Sequence, residues 1–576
     1  MEEHNNKKNL SFLFAAILPA CILAFLIARY SVNLPFMDQW DTTGYLLEKI
    51  THGRISFWDL FLQHNESRMF FPKMITLTLA YLTHWNVRYE MAFTFVLACV
   101  TSFNIYKLTS LTRTSGRVLS FLIILLLNLV IFSPVQFYNW LWGNQSASFI
   151  PITCITGSIV IAYSKISPKA KIFTCIVLCT TATFSFANGI ISWFVVFPAF
   201  LASGASRPNS AVIKKKVAMV WAAAFALNAA AYFYSYAKPP SHPSLLEAFG
   251  HPIRAILYFL SFLGSPISSG NPIIATGAGF CLICLWLASN LSLLTLRKKE
   301  PELMRMATAW AMIGLYAILT AGLVTVGRSG FGMWQSMSSR YTTFSVYLIV
   351  SLIPLAVVFI GRPRLKRLVF ILLAIFIFLQ IKAYGYALGN MAMMKRGYQS
   401  AKACLLFLNV LPQTEFLNQM VYPDINSVKA RVNTINKMGF LKPGLVNTSD
   451  IGDIAGGVKP GLDYGCFDGL NKVDADTYVA SGWAVLPEAK RPADAVILAY
   501  GDTEDALRVF MLVYEMTPRK DAAKIYGSAY LYSGWKKSFS IRDLPVKAAK
   551  ISAWAFDADK GKAYKLNKSY PISGQF

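Results

Sequence analysis

The stretch CILAFLIARYSVNLPFMDQWD, residues 21–41, closes an apolar run that begins near residue 10 and then presents two aspartates, Asp38 and Asp41. An apolar segment of about 20 residues is what one bilayer crossing requires. A carboxylate beside the end of such a segment is costly to keep near lipid, so it is a functional candidate by default. The alternative is that Asp38 and Asp41 only cap an interfacial helix, a position that Asp favours. Capping needs one aspartate and leaves the other unexplained.

Outward from this stretch the same apolar pattern recurs. Runs long enough to span lie near 10–29, 88–107, 118–134, 147–164, 172–188, 189–204, 217–237, 272–296, 304–326, 341–360 and 368–388. The 576 residues are 55% apolar and 15% charged, with a mean hydropathy of +0.45. An ordinary soluble enzyme is excluded by that balance. Only 11 acidic residues precede residue 303, and the remaining 18 begin at Glu415. The chain therefore divides into a hydrophobic part, 1–390, and a water-compatible part, 391–576.

A net charge of +26 fits nucleic acid, anionic lipid or a phosphorylated substrate, and the distribution decides. Twenty basic residues fall in one set of alternating loops: Lys7, Lys8; Lys107, Arg113, Arg117; Lys165, Lys169, Lys171; Arg207, Lys214, Lys215, Lys216; Arg297, Lys298, Lys299, Arg305; and Arg362, Arg364, Lys366, Arg367. The opposite, longer loops hold ten. Positive flanks stay cytoplasmic. The N-terminus is thus expected inside and, after eleven spans, the C-terminal domain outside. Nucleic acid is disfavoured because these charges serve topology.

Two outward loops are more than turns. Loop 30–87 alternates apolar residues such as Leu46, Leu47, Phe57, Trp58, Phe70 and Phe71 with polar ones, and loop 237–271 ends in Ile256, Leu257, Phe259, Leu260 and Phe262. Both are expected to lie along the membrane interface. Beyond 390, helical stretches at 392–420 and 427–439 and a glycine-rich passage at 444–469 lead into period-two alternation, as in Tyr478, Ala480, Gly482, Ala484 and Val496, Leu498, Tyr500. Several short strands in this space predict a β-sandwich. The expected fold class is a polytopic α-helical membrane protein of about eleven helices, followed by an extracytoplasmic α/β domain containing a β-sandwich. Seven of the nine cysteines, the Cys281 and Cys284 pair included, read as small core residues of apolar segments. Cys404 and Cys466 remain open as a pair in an oxidising compartment.

The order of one helix and then an outward loop opening Pro35-Phe36-Met37-Asp38-Gln39-Trp40-Asp41 resembles the GT-C superfamily of integral-membrane glycosyltransferases. Its signature is an acid, often Asp-Glu, at that point; here Gln39 stands second. The stretches His64-Asn65-Glu66-Ser67-Arg68 with Pro72-Lys73, and Ser339-Arg340-Tyr341-Thr342-Thr343-Phe344, are similar to patterns in bacterial membrane proteins of O-antigen and other surface-polysaccharide loci. Serotype-converting glucosyltransferases are similar in role. The resemblance implies a GT-C-like catalytic part that takes a hexose such as glucose from a polyprenyl phosphate, undecaprenyl phosphate in bacteria. The acceptor would be a surface polysaccharide or lipid-linked glycan of the lipopolysaccharide O-antigen kind, at the outer face of the inner membrane.

The residues suit that chemistry. A carboxylate must take the proton of the attacking hydroxyl, and Asp38 is the first choice, Asp41 the second. The leaving phosphate needs fixed cations, which arginine provides through its planar fork of donors; Arg340, Arg328 and Arg68 lie on the outward side. Snorkelling at a helix end is the competing reading for Arg340. His64, Asn65, Glu66, Trp40 and Tyr341 are candidates to bind or orient the acceptor sugar, with belt tryptophans as the plainer account of Trp40. The residues identify no cofactor, and a divalent cation stays open with His64 and Glu66 as its ligands; their spacing suits only an extended segment and no third ligand is evident. A polysaccharide polymerase or ligase would use similar chemistry. A lipid-linked glycan transporter is the non-enzymatic alternative, and it predicts repeats and mid-membrane charges that this sequence does not display.

Overall fold

A computed structural model describes residues 2–112, 116–203, 211–296, 298–360, 363–457, 459–501, 503, 506–544 and 550–572, with backbone only at 2–15, 117, 211–214, 296, 358–360 and 363–366. Of the loop charges that set the expected orientation, Arg113, Arg207, Arg297 and Arg362 lie outside the described residues. The side chains of Lys7, Lys8, Arg117, Lys214, Arg364 and Lys366 do so as well.

The chain is mostly helical, with a β-rich C-terminal domain. Eight helical stretches among the described residues are long and apolar enough to cross a membrane: Arg88–Leu111, Val118–Trp140, Gly143–Tyr163, Lys215–Phe233, Pro272–Thr295, Pro301–Phe331, Ser339–Val357 and Arg367–Leu406. The other three expected spans fall on shorter apolar helical stretches, Ala16–Tyr30 and Ala187–Ala202, and on the helix Pro168–Thr183. Lipid explains the surface of the outermost helices. Ile273, Phe280, Leu291, Phe370, Phe378 and Ile381 are all more than half exposed or close to it, and such side chains gain nothing from water.

Two compact units divide the molecule. The membrane-helix unit comprises Met1–Ser31, Ile55–Thr78 and Arg88–Ala392; the C-terminal unit comprises Val32–Arg54, Leu79–Val87 and Met393–Phe576. The C-terminal unit takes up the chain again at Met393, loop 30–87 is shared out between the units, and Asp38 and Asp41 belong to the C-terminal unit. The amphipathic reading of this loop separates accordingly. Leu46 and Leu47 are fully buried in the C-terminal unit, whereas Phe57 and Trp58 of the membrane-helix unit are exposed. The helix Pro252–Gly264 is amphipathic as expected, with Ile253 and Ile256 exposed and Tyr258, Phe262 and Leu263 buried.

Small residues let the helices of the membrane unit meet at the backbone. A Cβ on Gly264 would stand 2.0 Å from the Ala275 carbonyl oxygen, and one on Gly279 would stand 1.8 Å from that of Leu260. No side chain fits at either position, so Pro252–Gly264 and Pro272–Leu296 pack only with glycine at both points.

In the C-terminal unit nine strands among the described residues form one sheet: β1 Gly465–Lys472, β2 Thr477–Leu486, β3 Arg491–Pro492, β4 Ala495–Tyr500, β5 Arg508–Val513, β6 Met516–Thr517, β7 Gly534–Ser540, β8 Lys550–Asp557 and β9 Lys562–Pro571. Their order is β5-β4-β8-β9-β1-β2-β7-β6, with β3 beside β2. The pairings are antiparallel except β1 with β9, which meet in parallel at Cys466 and Asn567. Tyr478, Ala480 and Ala484 of β2 share one core with Val496, Leu498, Ala553 and Trp535, following the period-two pattern. Phe510 of β5 meets Phe539 of β7 at 5.3 Å, so the two ends of the sheet contribute to that core. Trp535 and Trp554 are buried. Cys404 and Cys466 do not pair; all nine cysteines are free thiols.

Candidate active site

The sequence candidates assemble into two groups, one in each unit. In the membrane-helix unit the segment 63–68 is fixed at both ends. His64 and Ser67 exchange backbone hydrogen bonds of 2.8 and 2.9 Å, and Asn65 takes the left-handed φ of 48° that closes the turn between them. The Tyr232 hydroxyl donates to the Glu66 carbonyl at 2.6 Å. The Gln63 side-chain amide donates to the Ala237 carbonyl at 2.6 Å and accepts from the Ala237 amide at 3.1 Å.

Held in this way, Glu66 meets Arg328. One nitrogen of the guanidinium, Nη2, donates to Glu66 Oε1, and Nη1 donates to the Tyr341 hydroxyl oxygen at 3.2 Å. Arg328 is the last residue of the helix Pro301–Arg328, where a cation also suits the helix dipole. The second oxygen, Glu66 Oε2, is buried and accepts no hydrogen bond; His242 Nδ1 stands 3.7 Å from it. Burial holds the His242 imidazole below its ordinary range, with Glu66 opposing and Arg328 and Lys238 reinforcing. The Tyr236 phenol is raised by burial and by the charge of Glu66.

Arg340 follows the same helix start, Ser339–Ile360. Its backbone carbonyl accepts from Asn139 Nδ2 at 2.9 Å, and Ser339 Oγ accepts from the Tyr138 amide at 3.0 Å. These bonds lay its guanidinium against Tyr138 and Trp142, 5.9 and 5.8 Å from the ring centroids. No ion pair to Arg340 forms among the described residues. Arg68 has a different task. It is 4% exposed, and its donors go to the carbonyls of Tyr232 at 2.6 Å, Phe61 at 3.1 Å and Tyr234. The guanidinium expected at the phosphate therefore ties this loop to the end of a helix. Lys73 is similar: Nζ donates to the carbonyls of Asp59 at 3.1 Å and Leu62 at 2.8 Å. Burial brings its ammonium down to about 8, against the charge of Asp59.

In the C-terminal unit, Met37 has a left-handed φ of 46°, and Gln39 Oε1 accepts from the Phe36 amide at 3.1 Å. A π-helical turn, Trp40–Gly44, follows; such turns are frequent where a side chain is re-aimed at a functional site. Asp38 is half-buried just before it. Asp41 is 38% exposed; it accepts from the Tyr422 hydroxyl at 3.0 Å to each oxygen, and Arg431 Nη1 lies 3.6 Å away. Arg431 Nε also donates to Glu48 at 2.7 Å, and its Nη1 to the Trp40 carbonyl at 2.7 Å. Trp40 is fully buried edge-on to Trp85 at 5.2 Å, with Nε1 donating to the Pro35 carbonyl. It cannot stack on a sugar. Its role falls to orienting the turn that carries Asp41.

Among the described residues no three His, Cys, Asp or Glu side chains converge as a metal site, so His64 and Glu66 gain no third ligand. The sequence reading did not find His242, Tyr422, Arg431 or Glu48. A lone histidine in a long loop, and a tyrosine and an arginine far from the acids they meet, carry no local pattern. The chain matches no protein-family model, no curated protein and no solved structure.

Proposed function

We propose that the protein is a bacterial inner-membrane glycosyltransferase of the GT-C type. It takes a hexose from a polyprenyl-phosphate donor and passes it to a surface polysaccharide or lipid-linked glycan outside the cytoplasm. Eleven crossings, a cytoplasmic N-terminus and an outward C-terminal unit with its strands as a sandwich complete this reading. The observation that carries it is Arg340, a guanidinium without an ion-pair partner among the described residues, backed by two aromatic rings at the start of an apolar helix. A cation so held suits a lipid phosphate, whose oxygens take two donors of the fork at once. Snorkelling accounts less well for a guanidinium packed on rings and anchored through its own backbone.

Tyr341, next to Arg340 in the chain, joins Arg328 and Glu66 in a polar group connected through the Arg328 guanidinium. In the transfer, the acceptor oxygen attacks C1 while a carboxylate removes its proton and the phosphate departs with the bonding pair. By sequence that carboxylate is Asp38, or Asp41. The bonds from Tyr422 and the nearness of Arg431 suit Asp41 to a positioning role. A polymerase or ligase would share this chemistry. Mass spectrometry of the surface polysaccharide from cells with and without the gene separates the readings. A hexose present only with the gene supports single-sugar transfer. A change in chain length alone supports polymerisation or ligation, and an unchanged glycan overturns the proposal.

A further inference from the structure

Five tryptophans belong to the C-terminal unit, and four of them, Trp40, Trp85, Trp535 and Trp554, are buried. Trp483 is partly exposed. Ala480 and Ala484 of β2 point into the core, so the pleat sets Trp483 on the opposite face of the sheet. There the ring of Tyr526, the last residue of the helix Lys520–Tyr526, lies against it, with centroids 5.5 Å and planes 31° apart. Tyr530 meets Tyr526 edge-on at 6.0 Å. Tyr526 is nonetheless 45% exposed, more than any other aromatic side chain described in 393–576. Polar groups border these rings. Burial first, and then the charge and hydrogen bonding of Asp463, raise the Tyr526 phenol. Asp463 Oδ1 also accepts from Asn567 Nδ2 at 3.1 Å. On β7, Gly534 is the sheet partner of Trp483, and its bare Cα leaves room for Arg519: a Cβ there would stand 2.7 Å from Arg519 Cγ. From that point the guanidinium reaches Asp468 of β1 at 2.6 Å and Asp521 at 2.7 Å, crossing β2 on the face that carries Trp483.

We propose that Tyr526, backed by Trp483, is the stacking platform of a glycan-binding site on the C-terminal unit, and that it holds a pyranose ring of the surface polysaccharide. The choice of that polysaccharide as the glycan rests on the transfer reading above. The C–H face of a pyranose is weakly positive and meets the negative face of an aromatic ring as a ring edge does. Tyr526 is held in advance by Trp483, Tyr530 and Asp463, so little freedom is lost when a sugar settles on it. Sugar hydroxyls then need a few placed polar groups at the rim, and Asp463, Asn567 and Arg519 supply both acceptors and donors from solvent-accessible side chains. Size decides against other occupants. The apolar surface exposed here is Tyr526 with its neighbour Ile525, 74% exposed, whereas a stable protein partner covers about 800 Å² on each side. A membrane surface needs an extended apolar face, and here carboxylates stand beside the ring. One sugar ring needs one aromatic ring.

The test is isothermal titration calorimetry of the full-length protein in detergent with the delipidated surface polysaccharide of cells that lack the gene, comparing wild type, Tyr526→Ala and Tyr526→Phe. Removing the ring weakens binding by about 3- to 10-fold, the worth of one aromatic contact. Tyr526→Phe keeps the ring and binds nearly as wild type does. A wild type that binds no polysaccharide overturns the inference, and so does an unchanged affinity in Tyr526→Ala; neither result touches the transfer reading. Binding that is weakened in Tyr526→Ala supports the site even where the wild type transfers no sugar, a result that overturns the transfer reading alone. If Tyr526→Ala is not recovered folded, Tyr526→Leu, which keeps apolar bulk without a ring, decides: weaker binding supports the proposal, and wild-type affinity overturns it.

Discussion

The Tyr422 hydroxyl sits 3.0 Å from both carboxylate oxygens of Asp41, across 381 residues of chain. A single phenol thus joins the first acid-bearing turn to the helical stretch that precedes the sheet. Burial and the charge of Asp41 push that phenol up to about 12. The bond is partly exposed, so its net contribution sits at the low end for a hydrogen bond to a charged group.

Replacing Tyr422 by Phe is expected to cost about 1 kcal/mol of stability in the C-terminal unit. Denaturant unfolding followed by tryptophan fluorescence reads this directly, since Trp40 lies one residue from Asp41. An unchanged midpoint would mean that solvent already satisfies Asp41.

Arg340→Ala should lower kcat/KM for the lipid-phosphate donor by roughly 10- to 100-fold, the value of hydrogen bonds to a charged group. Arg340→Lys recovers only part of it, because an ammonium lacks the planar fork. Equal activity in all three proteins would remove the phosphate role.

Arg68→Ala is expected to act on folding. Three carbonyls lose their donor in a buried place, at a cost of about 3 kcal/mol, while the fraction that folds keeps its donor KM. Melting curves and kinetics on the same preparation separate this from a phosphate contact, which would move KM.

On the sheet, Glu488 accepts from Lys459 at 2.5 Å and Lys560 at 2.7 Å, and these bonds hold its carboxyl down to about 2. The folded pKa lies below that of the unfolded chain, about 4.3. Its stabilisation is therefore complete above that value and fades as pH falls toward 2. Glu488→Gln should flatten this part of the acid unfolding curve. A curve of the same slope would show that the two lysines do not depend on it.

Long-range organisation was legible where periodicity or composition reports it. Apolar runs mark all eight membrane-length helices among the described residues, and alternation in Tyr478, Ala480 and Ala484 marks a core face. The division of loop 30–87 between two units was not legible, because Leu46 and Phe57 have similar apolarity and only tertiary packing buries one and exposes the other. Arg68 and Arg340 illustrate the same limit at the candidate site. Both are outward arginines in polar motifs, and only the carbonyls around one and the aromatic rings around the other tell them apart.

The C-terminal unit is built from three separate pieces of chain, 32–54, 79–87 and 393–576. This imposes an order on biosynthesis. Trp40 and Trp85, which end 0% and 1% exposed, leave the ribosome long before the residues that complete their surroundings, and they must wait while the intervening helices are inserted. Closing so long a loop is slow, and an unfinished apolar surface is the kind that aggregates or recruits a chaperone. Cutting the gene at residue 393 would not release an independent domain. It would give a fragment whose Tyr422 and Arg431 have lost the acids they were shaped to hold.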